Sequence, residues 1–301
     1  MGDPTGERMA VVGLGLMGSR MSRRLLDAGF RLRGYDPDPG RRAGFEEMGG
    51  EAAASPREAA EGCWAALLSL PDSDVSRRVC LDPDGLAGAG GPPFIYDTTT
   101  GRPEDAAGIA ATLAESGISY SDTTLSGNSA MAERGELVVM VGGTTEAYGR
   151  GVPIFEAIGH SHHHMGAAGS GARMKLLVNH VLTIHRLALA EALVVAELAE
   201  MDLATTLGVL KDSLAYSRAM DTWGERMVAG DHERPASRLR QGHKDARLIT
   251  EHGRGLGAPT ELVEVVRRVL EEGEEAGLGD LDNSTVMEVL RRRAGIGRVS
   301  P

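Results

Sequence analysis

Along the first half of the chain, short apolar runs alternate with amphipathic stretches. Residues 9–12 (Met-Ala-Val-Val) form a continuous apolar run with the length and character of a buried parallel strand. The run stops at Gly13, and after Gly18 apolar positions recur at helical spacing until a second strand closes at Asp36. Residues 51–53 predict a weak third strand. Ser55-Pro56 reads as an N-cap followed by proline at the first helical position. Residues 65–70 predict a fourth strand ending at Pro71, and residues 94–97 a fifth, followed by a helix over about 103–116. Residues 119–122, 137–141 and 162–165 supply three more strands. Strands alternating with helices predict an α/β fold with a doubly wound, mostly parallel sheet and a mixed edge. Residues 1–8 read as a flexible arm.

The pattern changes near Gly169. From Ala172 to Leu207 there is no glycine and no proline, and apolar residues recur at helical spacing around much of the circumference. This predicts a long helix that belongs in the middle of an assembly. Further helical patterns follow over 207–214, 217–228, 238–251, 260–273 and 284–293, the last preceded by the capping residues Asp282-Asn283-Ser284. The expected domains are therefore 1–168, α/β, and 169–301, all-α and begun by the long interdomain helix.

The turn between the first strand and helix reads Gly13-Leu14-Gly15-Leu16-Met17-Gly18. A Gly-x-Gly-x-x-Gly triplet alone is a weak signal, but one placed between a buried strand and a helix is strong. Gly13 permits the tight turn, Gly15 lets a pyrophosphate approach the backbone, and Gly18 lets helix and sheet pack closely. The phosphates would lie on free N–H groups at the positive end of the helix. The reading is a Rossmann-type dinucleotide-binding domain. Asp36, at the end of the second strand, can accept from both ribose hydroxyls and suits NAD. Arg41 and Arg42 follow closely and leave NADP open.

Chemistry is expected at the start of the long helix. Lys175 and Asn179 are spaced i, i+4 and share one face, just after the Gly169-Ser170-Gly171 step. The positive end of a helix disfavours a nearby cation and should lower the pKa of Lys175. A lysine tuned toward neutrality can take a proton from an alcohol or return one to an alkoxide.

The glycine turn, Leu70-Pro71, Asp97-Thr98-Thr99-Thr100-Gly101-Arg102-Pro103, Ser126-Gly127, Gly169-x-Gly171-x-x-x-Lys175-x-x-x-Asn179 and Lys244-Asp245 occur in a telling order. In that order the chain resembles the β-hydroxyacid dehydrogenases, a family that includes 3-hydroxyisobutyrate dehydrogenase and tartronate semialdehyde reductase. The resemblance spans roughly residues 9–292. It implies that Lys175 is the catalytic acid/base and that Asn179 holds the hydroxyl oxygen. It implies that Ser126, Gly127 and Asn128 bind the substrate carboxylate. It also places Leu70, Pro71 and Thr100 against the cofactor and Lys244 near the nicotinamide. Hydride would pass directly between substrate and nicotinamide, with no metal. The implied function is an NAD(P)-dependent oxidoreductase for a small β-hydroxyacid or its semialdehyde.

Two departures bear on specificity. The family's Asp-x-Pro-x-Ser-Gly-Gly stands here as Asp122-Thr123-Thr124-Leu125-Ser126-Gly127-Asn128, which loses a proline and gains a polar side chain. His180 follows Asn179 where many relatives carry a second asparagine, and reads as packing. Imine reductases share the architecture, but Lys175 argues against them and Asp36 against their usual NADPH. A dinucleotide-binding protein without turnover is disfavoured by the Lys175–Asn179 pair.

Composition narrows the partners. A formal net charge of −11 argues against nucleic acid and anionic membrane. No apolar run reaches spanning length, and a cytoplasmic protein is expected. In the run His160-Ser161-His162-His163-His164, His162 and His164 share a strand face, but no nearby Cys, Asp or Glu completes a metal set. Asp212, Tyr216, Asp221 and Trp223 read as helix packing and solvation. The apolar long helix predicts a homodimer or homotetramer formed through the helical domains.

Overall fold

A computed structural model describes residues 6–88 and 90–296; residues 1–5 of the expected arm lie outside them. The chain divides into two compact units, Met1–Lys175 and Leu176–Pro301.

The first unit is built on one sheet of eight strands: β1 (Arg8–Val12), β2 (Arg31–Tyr35), β3 (Glu51–Ala52), β4 (Ala65–Leu68), β5 (Phe94–Asp97), β6 (Ser119–Ser126), β7 (Leu137–Gly142) and β8 (Gly159–Gly166). Their order is β3-β2-β1-β4-β5-β6-β7-β8, and only the β6–β7 pair is antiparallel. Strand alternation sends Met9, Val11, Ala65, Leu67 and Tyr96 to one face. It sends Ala10, Val12, Ala66, Leu68 and Ile95 to the other. Both faces are covered, as continuous apolar strands require. Helices α1 (Leu16–Asp27) and α7 (Thr145–Ile158) pack on the first face. Helices α3 (Pro56–Ala60), α4 (Ser73–Leu81) and α5 (Pro103–Ala114) pack on the second. Helices α2 (Pro39–Glu47) and α6 (Ser129–Arg134) complete the unit.

Helix α8 (Ser170–Leu198) is 29 residues long. The sequence pattern runs it on toward Leu207, but the helix ends earlier. Glu200 adopts φ 57°, and the Asp202 carboxylate caps α9 (Leu203–Asp212) by accepting from Thr205 N–H at 2.8 Å. A left-handed residue plus a cap stops a helix without glycine or proline. The second unit continues with a π-helical turn at Met220–Gly224, α10 (Glu225–Ala229), α11 (Leu239–Gly255), α12 (Glu261–Glu275) and α13 (Val286–Arg293). Its core packs Leu187, Leu193 and Val194 of α8 against Ile249, Val266, Leu270 and Met287. Among the described residues no helix is long and apolar enough to cross a membrane.

Candidate active site

The carboxyl ends of the parallel strands β1, β4 and β5 open on the same side, and the glycine turn lies there. Helix α1 starts with Gly15 at its N-cap, with no side-chain cap bond and no acid in its first turn. Its first amides are thus available to an anion. The three glycines have different reasons. Gly13 sits at φ 95°, and a Cβ there would overlap the Ser69 carbonyl oxygen. A Cβ on Gly18 would overlap the Gly13 carbonyl. A Cβ on Gly15 would meet only Arg41 Nη1, at 3.6 Å. The fold therefore demands Gly13 and Gly18, whereas the open side of Gly15 is the side a pyrophosphate needs. The cradle fits a dinucleotide.

Asp36 follows β2 and is only 3 % exposed. Its Oδ2 accepts from Leu14 N–H at 2.9 Å and its Oδ1 from Asp38 N–H at 3.0 Å. Arg41 Nη1 lies 3.3 Å from Oδ2, and Arg42 Nη1 donates to the Asp36 carbonyl at 2.6 Å. The carboxylate thus fastens the glycine turn to β2 and carries a cation at its outer edge. Beyond β4, Leu70 N–H donates to Thr99 Oγ1 at 3.2 Å, and Thr98 Oγ1 donates to Leu68 O at 2.7 Å. These bonds knit the ends of β4 and β5 around Leu70, Pro71 and Thr100.

Lys175, in the second turn of α8, donates from Nζ to Leu125 O at 2.6 Å. Leu125 is the penultimate residue of β6, so the amine stands beside the Ser126-Gly127-Asn128 turn. Gly127 adopts φ 141°. The Asn128 side chain accepts from Met131 N–H at 3.0 Å and caps α6. The residue that departs from the family pattern therefore has a local structural duty. One turn beyond Lys175 on the same helix, Asn179 is buried and donates from Nδ2 to Asp245 Oδ2 at 3.0 Å. Asp245 thereby fixes which way the amide faces, leaving the Asn179 oxygen on the other edge. Lys244, on α11, is half-buried. The sequence motif contained Asp245 without revealing this duty, because pairing across helices leaves no local signature.

The histidine run on β8 has protein partners. His162 Nδ1 shares a 2.7 Å hydrogen bond with Tyr148 Oη, His164 Nε2 one of 2.9 Å with Gly143 O, and His160 Nδ1 one of 2.8 Å with Glu136 O. Among the described residues no group of three His, Cys, Asp or Glu could hold a metal ion. In the second unit, Tyr216 donates to Asp221 at 2.6 Å, and buried Trp223 lies under the Arg186 guanidinium, 4.9 Å from its ring centre.

Residues 8–166 match the family described as the NAD binding domain of 6-phosphogluconate dehydrogenase. Residues 169–290 match the one described as NAD-binding of NADP-dependent 3-hydroxyisobutyrate dehydrogenase. Among curated relatives, 3-sulfolactaldehyde reductase of Escherichia coli is 29 % identical over 96 % of this chain and 97 % of its own. The 3-hydroxyisobutyrate dehydrogenase of Pseudomonas aeruginosa is 29 % identical over 94 % and 98 %. A crystal structure of 3-hydroxyisobutyrate dehydrogenase from Salmonella typhimurium superposes with TM-score 0.86 at 28 % identity, covering 94 % of this chain and 99 % of that one. The sheet, glycine cradle and matched domains define an oxidoreductase that uses a nicotinamide dinucleotide. The chain belongs to the β-hydroxyacid dehydrogenase family.

Proposed function

We propose that the chain is an NAD-preferring dehydrogenase or reductase acting on a small β-hydroxyacid or its semialdehyde, with Lys175 as its acid/base. The observation that carries this reading is the Lys175 amine, held at 2.6 Å by the Leu125 carbonyl next to the Ser126-Gly127-Asn128 turn. In oxidation the neutral amine takes the proton of the substrate hydroxyl; in reduction the ammonium returns it. Asn179, its amide oriented by Asp245, holds the same oxygen. Ser126 Oγ and the backbone N–H groups of Gly127 and Asn128 receive the carboxylate. The dinucleotide, when bound, accepts or supplies the hydride. Gly13, Leu14, Gly15, Leu16, Met17 and Gly18 hold its pyrophosphate, Asp36 its ribose, and Leu70, Pro71, Thr100 and Lys244 its remaining length. In this division of labour residues 1–168 supply most of the cofactor contacts and the carboxylate-binding turn, and residues 169–301 supply Lys175, Asn179 and the surface for a second copy. Absorbance at the NADH band across 3-hydroxyisobutyrate, 3-hydroxypropionate, L-serine, D-glycerate and L-threonate tests the reading. Turnover of none of these acids, nor of their semialdehydes in reverse, would overturn it.

The preference for NAD rests on charge. The Asp36 carboxylate opposes a 2′-phosphate, and Arg41 offsets it only in part, from an exposed position. NADH is expected to bind about tenfold more tightly than NADPH, a difference of about 1.4 kcal/mol. Arg41→Ala should widen that gap by weakening NADPH alone. Fluorescence titration checks both; tighter NADPH binding by the wild type would refute the assignment of Asp36.

Along α8, Leu177, Val181, Val195 and Leu198 are 53–62 % exposed. Positions 177, 181, 188, 195 and 198 follow the spacing of one helix stripe, interrupted only by exposed Glu191, so a largely apolar seam faces outward. We infer a homodimer or higher homo-oligomer closed over this seam. A monomer in sedimentation equilibrium at micromolar concentration would exclude it.

A further inference from the structure

Strand β6 holds the start of α8 at more than one point, and one of these is a buried acid. Asp122 Oδ1 accepts from Gly169 N–H at 2.7 Å and Oδ2 from Ala172 N–H at 2.6 Å. Thr124 Oγ1 donates to Gly171 O at 2.8 Å, and three residues after Asp122 the Leu125 carbonyl receives the Lys175 amine. A Cβ on Gly171 would overlap the Asp122 carbonyl oxygen, so helix and strand are in backbone contact there. The Asp122 carboxylate is 2 % exposed. It is thus a two-oxygen clamp on otherwise unsatisfied helix-start amides, where an anion is electrostatically favoured.

We propose that Asp122 is the positioning residue for Lys175, fastening the first turn of α8 to the strand that receives the amine. The proposal rests on Lys175 being the proton carrier. A helix start free to shift by an ångström would take the amine off Leu125, and misplacement of that size can cost about a hundredfold in rate.

Two effects on the Asp122 carboxyl oppose each other. Burial pushes the Asp122 carboxyl up to about 6, opposed by the Ala172 and Gly169 N–H bonds and helped by the nearby charge of Asp97. The titratable and charged groups around it are Asp97 on β5, Tyr120 on β6 and Arg102 before α5, which share with Asp122 a cavity of about 10 Å³, room for one water. Lys175 lies beyond, at Leu125. Asp97 is itself engaged by Tyr120 Oη at 2.8 Å and Thr99 N–H at 2.9 Å. Below about pH 6 the carboxyl gains a proton, and one oxygen then presents a donor to an N–H donor.

The test compares the full-length wild type with Asp122→Asn and Lys175→Ala. Hydrogen exchange over residues 167–178, corrected for intrinsic rate, should rise at least about tenfold in Asp122→Asn at pH 8. Acetylation of Lys175 by N-hydroxysuccinimidyl acetate, followed by mass spectrometry, should change in parallel. With the fastest acid of the panel above, kcat of Asp122→Asn should fall about 10- to 100-fold, with the NADH dissociation constant within about twofold. Unchanged exchange and acetylation would overturn the proposal. So would loss of protection spread over the whole sheet together with loss of NADH binding, the signature of a purely structural acid. Full turnover by Lys175→Ala would instead refute the proton-carrier reading, while the exchange data still judge the clamp.

Discussion

Lys175→Ala is expected to lower kcat by about a thousandfold while the NADH dissociation constant moves less than about threefold. The loss corresponds to about 4 kcal/mol of transition-state stabilisation, within the range of a general acid/base. The separation follows from position. The glycine cradle stands at the ends of β1 and α1, whereas the Lys175 amine is held by Leu125 on β6. Charge and proton transfer are distinguished by Lys175→Arg. A guanidinium keeps the positive charge and can donate to the same carbonyl, but it does not lose its proton in the working range. If Lys175 cycles a proton, the arginine variant should be nearly as slow as the alanine variant. If it contributes only a charge, arginine should restore most of the rate. Steady-state kinetics at saturating NAD decide between them. An arginine variant within fivefold of wild type would remove the acid/base role and leave Lys175 a binding group.

Features set by local rules were legible before the fold was known. Strands β1, β4 and β5 follow from apolar runs. The cradle follows from glycines at fixed offsets, and the helix starts at Ser55 and Asp282 from capping side chains, each of which accepts the expected N–H. Lys175 and Asn179 could be paired because helical spacing alone brings them to one face. What escaped reading depends on partners distant in sequence. Asp122 lies on a strand whose other buried positions are apolar or hydroxylic, and its duty involves Gly169 and Ala172, 47 and 50 residues away. Asp245 acts on Asn179 across 66 residues. Helix α7 is obscured by Gly149, Gly151 and the internal Pro153, yet Ile154, Phe155 and Ile158 bury it against the sheet. Tertiary burial there overrides propensity. The end of α8 was invisible for the opposite reason, since Glu200 breaks it in a conformation composition does not disfavour strongly enough to signal.

Substitutions within the glycine turn should separate what the fold needs from what the cofactor needs. Gly13→Ala places a methyl group against the Ser69 carbonyl and forces φ 95° on a residue with a side chain. Ser69 cannot retreat freely, because its own N–H donates to Val12 O at 2.9 Å. Strain of this kind costs on the order of 1–3 kcal/mol, and its relief would move Leu14 N–H away from Asp36. Gly13→Ala should therefore lose thermal stability and weaken NADH together, binding by about a hundredfold or about 2.7 kcal/mol. Gly15→Ala differs. Its methyl would meet only the exposed Arg41 guanidinium, at 3.6 Å, so the free protein should melt within about a degree of wild type. The same methyl fills the space where the pyrophosphate must approach the backbone, and NADH affinity should again fall about a hundredfold. Differential scanning fluorimetry and NADH fluorescence titration of the two variants provide the comparison. Stability loss in Gly13→Ala without stability loss in Gly15→Ala, and binding loss in both, is the expected pattern. Wild-type NADH affinity in Gly15→Ala would mean that the dinucleotide does not lie across this turn, and the roles given to Asp36 and the first turn of α1 would fall with it.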